Sequence, residues 1–190
     1  MGFAASGYAP AMLATIRLPV DWNGLGFPDP FAAGRVSVCS GARGWGWSDR
    51  APDLGVAAVP IVAGLPAPNW DIDHVVLLVP DLDHAVALIE AAHHAVRRRI
   101  EVSGRRTAFF LVGTLLEVVE EESVDRPLLW GVALQTDTSL ADLAAIWRST
   151  GHDVTDPRPA FQEGRDIITV GHTGAGVAVM TRGTVETKAG

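Results

Sequence analysis

The chain has 190 residues, 48% hydrophobic and 19% charged, with a formal net charge of −7 and a pI near 5.2. That length can bury a core, and the acidic balance excludes the broad basic surface that binds phosphate backbones without specificity. The single cysteine, Cys39, excludes an internal disulfide and a zinc site built on thiolates, and no apolar run approaches the roughly 20 residues needed to span a bilayer.

Residues 1–69 read as an irregular N-terminal extension. The first 70 residues hold 10 of the 20 glycines and 8 of the 12 prolines, which punctuate structure rather than propagate it. Short strand candidates remain in "MLATIRLPV" and "RVSVCS", and an apolar run, "VAAVPIV", is cut by Pro60. Four of the six tryptophans lie here (Trp22, Trp45, Trp47, Trp70), too many for simple solvated disorder. The start lacks the charged head and continuous apolar stretch of a secretory signal, so a cytoplasmic location is expected.

From Asp71 the pattern sharpens. "DHVVLLV" is apolar on both faces, as a central strand requires, and Pro80 ends it. Asp81 then caps a helix carrying Leu82, Val86, Ile89 and His93 at helical spacing, with Arg97, Arg98 and Arg99 suited to its negative end. "RIEVSG", "TAFFLVG" and "LLEVVEE" follow as strands. "WGVALQTD" opens a second round, Ser139 caps a helix with Leu140, Leu143, Ala144 and Trp147 on one face, and Gly151 closes it. "DVTD", "DIITVGH" and "GVAVMTR" complete the round. Residues 71–122 and 127–183 therefore each spell β-α-β-β-β, an internal duplication within a domain spanning 70–184, with a tail at 185–190. Two complete modules predict that this part folds without the first 68 residues.

The stretches "DHVVLLVPDLDHAV", "GTLLEVVE" and "WGVALQTDTSLADL", in this order, resemble the glyoxalase-like domains of the vicinal oxygen chelate superfamily. The resemblance implies an α+β fold in which two βαβββ modules form a curled mixed sheet with outer helices. It also implies a divalent ion bound by one residue from the first and one from the last strand of each module. His74 and Glu117 fall on the first module's two positions, and strand alternation lets both face one cleft. Gly131 and Ala178 fall on the second module's positions and cannot ligate, so a metal is expected to bind weakly or not at all. Replacement donors would have to come from Gln135, His152 or His172.

A carboxylate within "LLEVV" is costly to bury unless paired, coordinated or protonated, which makes Glu117 the catalytic candidate. The bland alternative is an ion pair with Arg105, Arg106 or Arg165. Gln135, Arg106 and Arg165 are the ligand-binding candidates; Trp130 and Trp147 read as core. His84, His93 and His94 read as surface or packing residues, and Glu120, Glu121 and Glu122 as a solvated strand end. The expected function is small-molecule binding in the cleft, with lyase or isomerase chemistry beside a carbonyl. The alternative is a non-catalytic, drug-sequestering member of the same fold. A homodimer is compatible with this pattern; nucleic acid and membrane are not expected partners.

Overall fold

The computed structural model describes residues 10–102 and 104–183; the tail expected at 185–190 lies outside them. The N-terminal stretch is not irregular. It forms five short strands, β1 (Leu13–Leu18), β2 (Phe31–Ala33), β3 (Val36–Ser40), β4 (Gly44–Trp47) and β5 (Leu65–Pro66), in a mixed sheet ordered β4-β1-β3-β2-β5. Its glycines and prolines keep the strands short without preventing pairing, because Ile16, Leu18, Phe31 and Val38 supply fully buried side chains. Of the run "VAAVPIV", only Ala58 makes a bridge, to Trp45.

The second sheet has eight strands in the order β11-β12-β13-β10-β6-β9-β8-β7. The first module supplies β6 (Trp70–Val79), helix α1 (Leu82–Ala91), β7 (Val96–Val102), β8 (Arg105–Leu111) and β9 (Leu115–Glu120). The second supplies β10 (Leu128–Thr136), α2 (Leu140–Ser149), β11 (Arg158–Pro159), β12 (Asp166–Val170) and β13 (Gly176–Thr181). The fold class and the duplicated βαβββ pattern are as expected, except that the strand expected at "DVTD" is only a bridge from Val154 to Val170 and the short strand falls at Arg158–Pro159 instead. Each first strand pairs in parallel with the last strand of its own module, and β6 and β10 join the modules antiparallel.

Both caps are in place: Asp81 Oδ1 accepts from the His84 N–H at 2.9 Å, and Ser139 Oγ from the Asp142 N–H at 3.3 Å. Leu82, Val86 and Ile89, and then Leu140, Leu143, Ala144 and Trp147, are the buried faces of the two helices. The arginines expected at the end of α1 lie instead in β7. The helix stops at Ala91, and His93 at φ 67° turns the chain away, so Arg97, Arg98 and Arg99 become a charged edge strand. Such charge protects an unpaired sheet edge from pairing with another chain.

One face of the large sheet, carrying Val75, Leu77, Leu116, Val118, Val132 and Val179, is fully covered by the helices and by the N-terminal sheet. The two sheets share a single apolar core. Phe27 stacks on Phe31 with ring centroids 4.5 Å apart and meets Trp70 edge-on at 4.8 Å, while Trp147 Nε1 of α2 donates to the Leu25 carbonyl at 3.0 Å. The Leu13 N–H donates to the Val112 carbonyl at 2.7 Å, beside the turn between β8 and β9. His94 is buried against Trp47, as a packing residue. This shared core speaks against independent folding of residues 71–183. The opposite face of the large sheet is left for the site.

Candidate functional site

Alternation along β6 sends Val75, Leu77 and Val79 into the core and His74 and Val76 to the open face; along β9 it sends Leu116 and Val118 inward and Glu117 outward. Parallel pairing sets Val76 opposite Glu117 and His74 opposite Leu115. His74 and Glu117 are therefore diagonal neighbours, and His74 Nε2 lies 3.2 Å from Glu117 Oε2. Their side chains are 15% and 19% exposed, sheltered but reachable. Phe109 of β8 pairs with Glu117 and adds an apolar neighbour.

Asp73 was not foreseen. Simple alternation places it on the core side, but the register between β6 and β10 skips it: Ala133 pairs with His74 and Leu134 with Ile72. Such a bulge re-aims a side chain. Asp73 Oδ2 lies 2.8 Å from His74 Nδ1, and Asp73 Oδ1 accepts from Arg165 Nη1 at 2.6 Å. Arg165 also donates from Nε to the Thr181 carbonyl at 2.7 Å and from Nη2 to Gln135 Oε1 at 3.4 Å. The result is one chain of groups, Gln135 and Arg165 behind Asp73, then His74, then Glu117.

Burial alone would raise the carboxyl pKa of Asp73, but hydrogen bonds from His74 and Arg165 and their positive charge outweigh it and hold Asp73 below its ordinary value. An ionised Asp73 accepts a hydrogen bond from the Nδ1–H of His74 and leaves Nε2 facing Glu117. Glu117 is shifted the other way. Burial pushes it above the ordinary glutamate value, with the charge of Asp73 adding and that of His74 opposing. A buried glutamate shifted upward and held 3.2 Å from an imidazole nitrogen is an arrangement suited to acid–base chemistry.

Other candidates lie elsewhere. Arg106 belongs to the helix side, where it donates to Asp83 Oδ2 at 2.6 Å and Glu120 Oε1 at 3.0 Å, so it takes no part in this site. Arg165 does join the site, though it pairs with Asp73 rather than Glu117. Gln135 is engaged by Arg165. His152 Nε2 lies 2.9 Å from the Gly24 carbonyl, and His172 is exposed beside Asp153 at 3.6 Å. Glu120 is not merely solvated: it accepts from the Leu82 N–H at 3.0 Å at the start of α1. Trp130, expected in the core, is 44% exposed, because the register skips it as it skips Asp73.

The donor set does not fit a resident divalent ion. Among the described residues no group of three or more His, Cys, Asp or Glu stands ready to hold one. The pairings Gly131 with Gly176 and Ala133 with Ala178 repeat those of His74 with Leu115 and Val76 with Glu117, so Gly131 and Ala178 stand in the second module where His74 and Glu117 stand in the first. A Cβ on Gly131 would come 2.0 Å from the Gly176 carbonyl oxygen, so no ligating side chain fits there without moving the backbone. Two protein donors, both engaged by neighbours, fall short of the three that a catalytic ion ordinarily has.

No protein-family model and no curated protein sequence matches the chain. Solved structures do. Hypothetical protein BH1468 from Bacillus halodurans C-125 aligns over 60% of this chain and 95% of its own at 13% identity, with a TM-score of 0.50. The methylmalonyl-CoA epimerase from Mycobacterium tuberculosis aligns over 59% and 87% at 16% identity and 0.49, and a methylmalonyl-CoA epimerase in complex with methylmalonyl-CoA and NH4+ over 60% and 95% at 21% and 0.48. The fold is glyoxalase-like. At these identities the likeness speaks for the architecture alone. No described helix is long and apolar enough to cross a membrane.

Proposed function

We propose that the chain is an isomerase-type enzyme that moves a proton on a carbon next to a carbonyl of a small molecule, with Glu117 as the base. The observation that carries this reading is the contact between Glu117 and His74 at 3.2 Å, braced from behind by Asp73 and Arg165. Glu117 as carboxylate takes the proton from the carbon and leaves an enolate. The same proton, held on Glu117 or passed to His74 Nε2, returns to that carbon or to its neighbour, so no oxidant and no lost group is needed. Asp73 fixes the His74 ring throughout, and Arg165 keeps Asp73 ionised.

The test is proton exchange in D2O. Branched acyl thioesters and α-hydroxy ketones, followed by proton NMR, should lose the signal of the carbon-bound proton with the native chain and keep it with Glu117→Gln. Exchange of equal rate in that variant would remove Glu117 from the chemistry. A second reading, binding without turnover, is favoured by the second module, where Gly131 and Ala178 leave the ligand positions bare. It predicts saturable binding with no exchange on any substrate.

A further inference from the structure

The residue bulged out of β10 is Trp130, and its ring lies flat over Gly176 of β13: a Cβ there would come 2.1 to 2.5 Å from three ring carbons. Gly176 is thus the seat of the indole. The ring, 44% exposed, lines a cavity of about 510 Å³ together with Ala178, Thr169 and the turn between β12 and β13. Arg43, from the loop between β3 and β4 of the N-terminal sheet, reaches into the same cavity. It donates from Nη2 to the Gly174 carbonyl, its Nε is buried without a partner, and among the described residues no carboxylate pairs with it. In a chain of net charge −7, no described Asp or Glu lines this space.

A half-exposed ring seated on a glycine is a stacking platform, and a guanidinium at the same cavity that meets no described carboxylate is an anion site. We propose that this cavity binds a flat aromatic ring bearing an anionic group, the ring stacked on Trp130 and the anion at Arg43. The N-terminal sheet thereby supplies part of the ligand site. Ala178, Ala133 and His74 lie side by side on three adjacent strands, so the cavity at Ala178 is two strand spacings, roughly 10 Å, from His74. The inference rests on the proton-transfer reading only in making this ring the non-reacting end of the substrate.

The test uses the full chain, isothermal titration calorimetry, and 2-naphthoate with 2-naphthamide as its neutral counterpart. The native chain should bind 2-naphthoate at one site at up to millimolar concentration. Trp130→Ala should weaken both probes roughly three- to tenfold. Arg43→Gln should weaken 2-naphthoate roughly tenfold or more and leave 2-naphthamide unchanged. Ala178→Leu, which fills the cavity while sparing both recognition groups, should block both probes. Glu117→Gln should bind 2-naphthoate as the native chain does, so failed proton transfer and a failed cavity are told apart. Absence of 2-naphthoate binding to the native chain, equal binding by all variants, or a fall in 2-naphthamide binding on Arg43→Gln would each overturn the proposal.

Discussion

In the first module the residue bulged from the central strand is Asp73, which orients His74 toward Glu117; in the second it is Trp130, which covers Gly176 beside Ala178. The backbones match pair for pair, since Ala133 faces His74 as Val76 faces Gly131, and Leu134 faces Ile72 as Leu77 faces Leu129. The buried faces match as well: Val75 and Leu77 answer to Val132 and Leu134, Leu116 and Val118 to Val177 and Val179. Only the open face has diverged. Core packing penalises any change of volume on one side of the sheet, whereas the other side is free to carry acid–base groups in one half and a ring platform in the other.

The largest effect should come from the region outside both modules. Deleting residues 1–68 would uncover the shared core at Val75, Leu77 and Trp147, so the remainder should lose its cooperative thermal transition; a sharp transition would show that the modules alone suffice. Within the first module, Glu117→Gln should lower proton exchange by ~10²- to 10⁴-fold. It should not lower the melting temperature at neutral pH. The folded-state pKa of Glu117 is raised, so its contribution to stability is favourable at low pH and declines as pH climbs past 4.5 through the folded value. For the same reason exchange by the native chain should increase with pH as Glu117 ionises, above the ordinary carboxylate range.

Asp73→Asn comes next. It leaves the Arg165 guanidinium without its carboxylate and the His74 ring without its orienting acceptor, so both stability and exchange should fall, stability by up to about 3 kcal/mol. Asp73 has the opposite pH signature to Glu117, with stability present above 3.8 and lost as pH falls through its lowered folded value. In the second module Gly131→Ala should cost ~1–3 kcal/mol, because its Cβ meets a backbone carbonyl that cannot rotate away. A stable Gly131→His, Ala178→Glu pair that bound one ion tightly would break the comparison, by showing that the second half can still be made to ligate. The smallest effect expected is from chelation: exchange after EDTA treatment and dialysis should match that before it.

Much of the site could be read from its own strands. His74 and Glu117 stand out because a polar group in an apolar run needs a reason, and a period of two aims both at the same face. Gln135 and Arg165 were reached as candidates, without the partner that unites them. Asp73 stayed hidden because its role depends on a bulge, and a bulge is a property of two strands in register, invisible in either alone. Trp130 stayed hidden for the same reason. Of the N-terminal sheet only β1 and β3 were legible, within "MLATIRLPV" and "RVSVCS"; β2, β4 and β5, of two to four residues between glycines and prolines, give too little periodicity to count.

By itself the sequence determined the two modules, their helices and caps, and the loss of side-chain donors at positions 131 and 178. These follow from local propensity and from spacing along one segment, which act between residues close in the chain. Tertiary structure alone decided that Arg165 reaches Asp73 across 92 positions, that Arg43 joins Trp130 at one cavity, and that two sheets share a core. Those depend on how strands pair and how faces are buried, and such contacts between distant residues exist only once the chain has closed on itself.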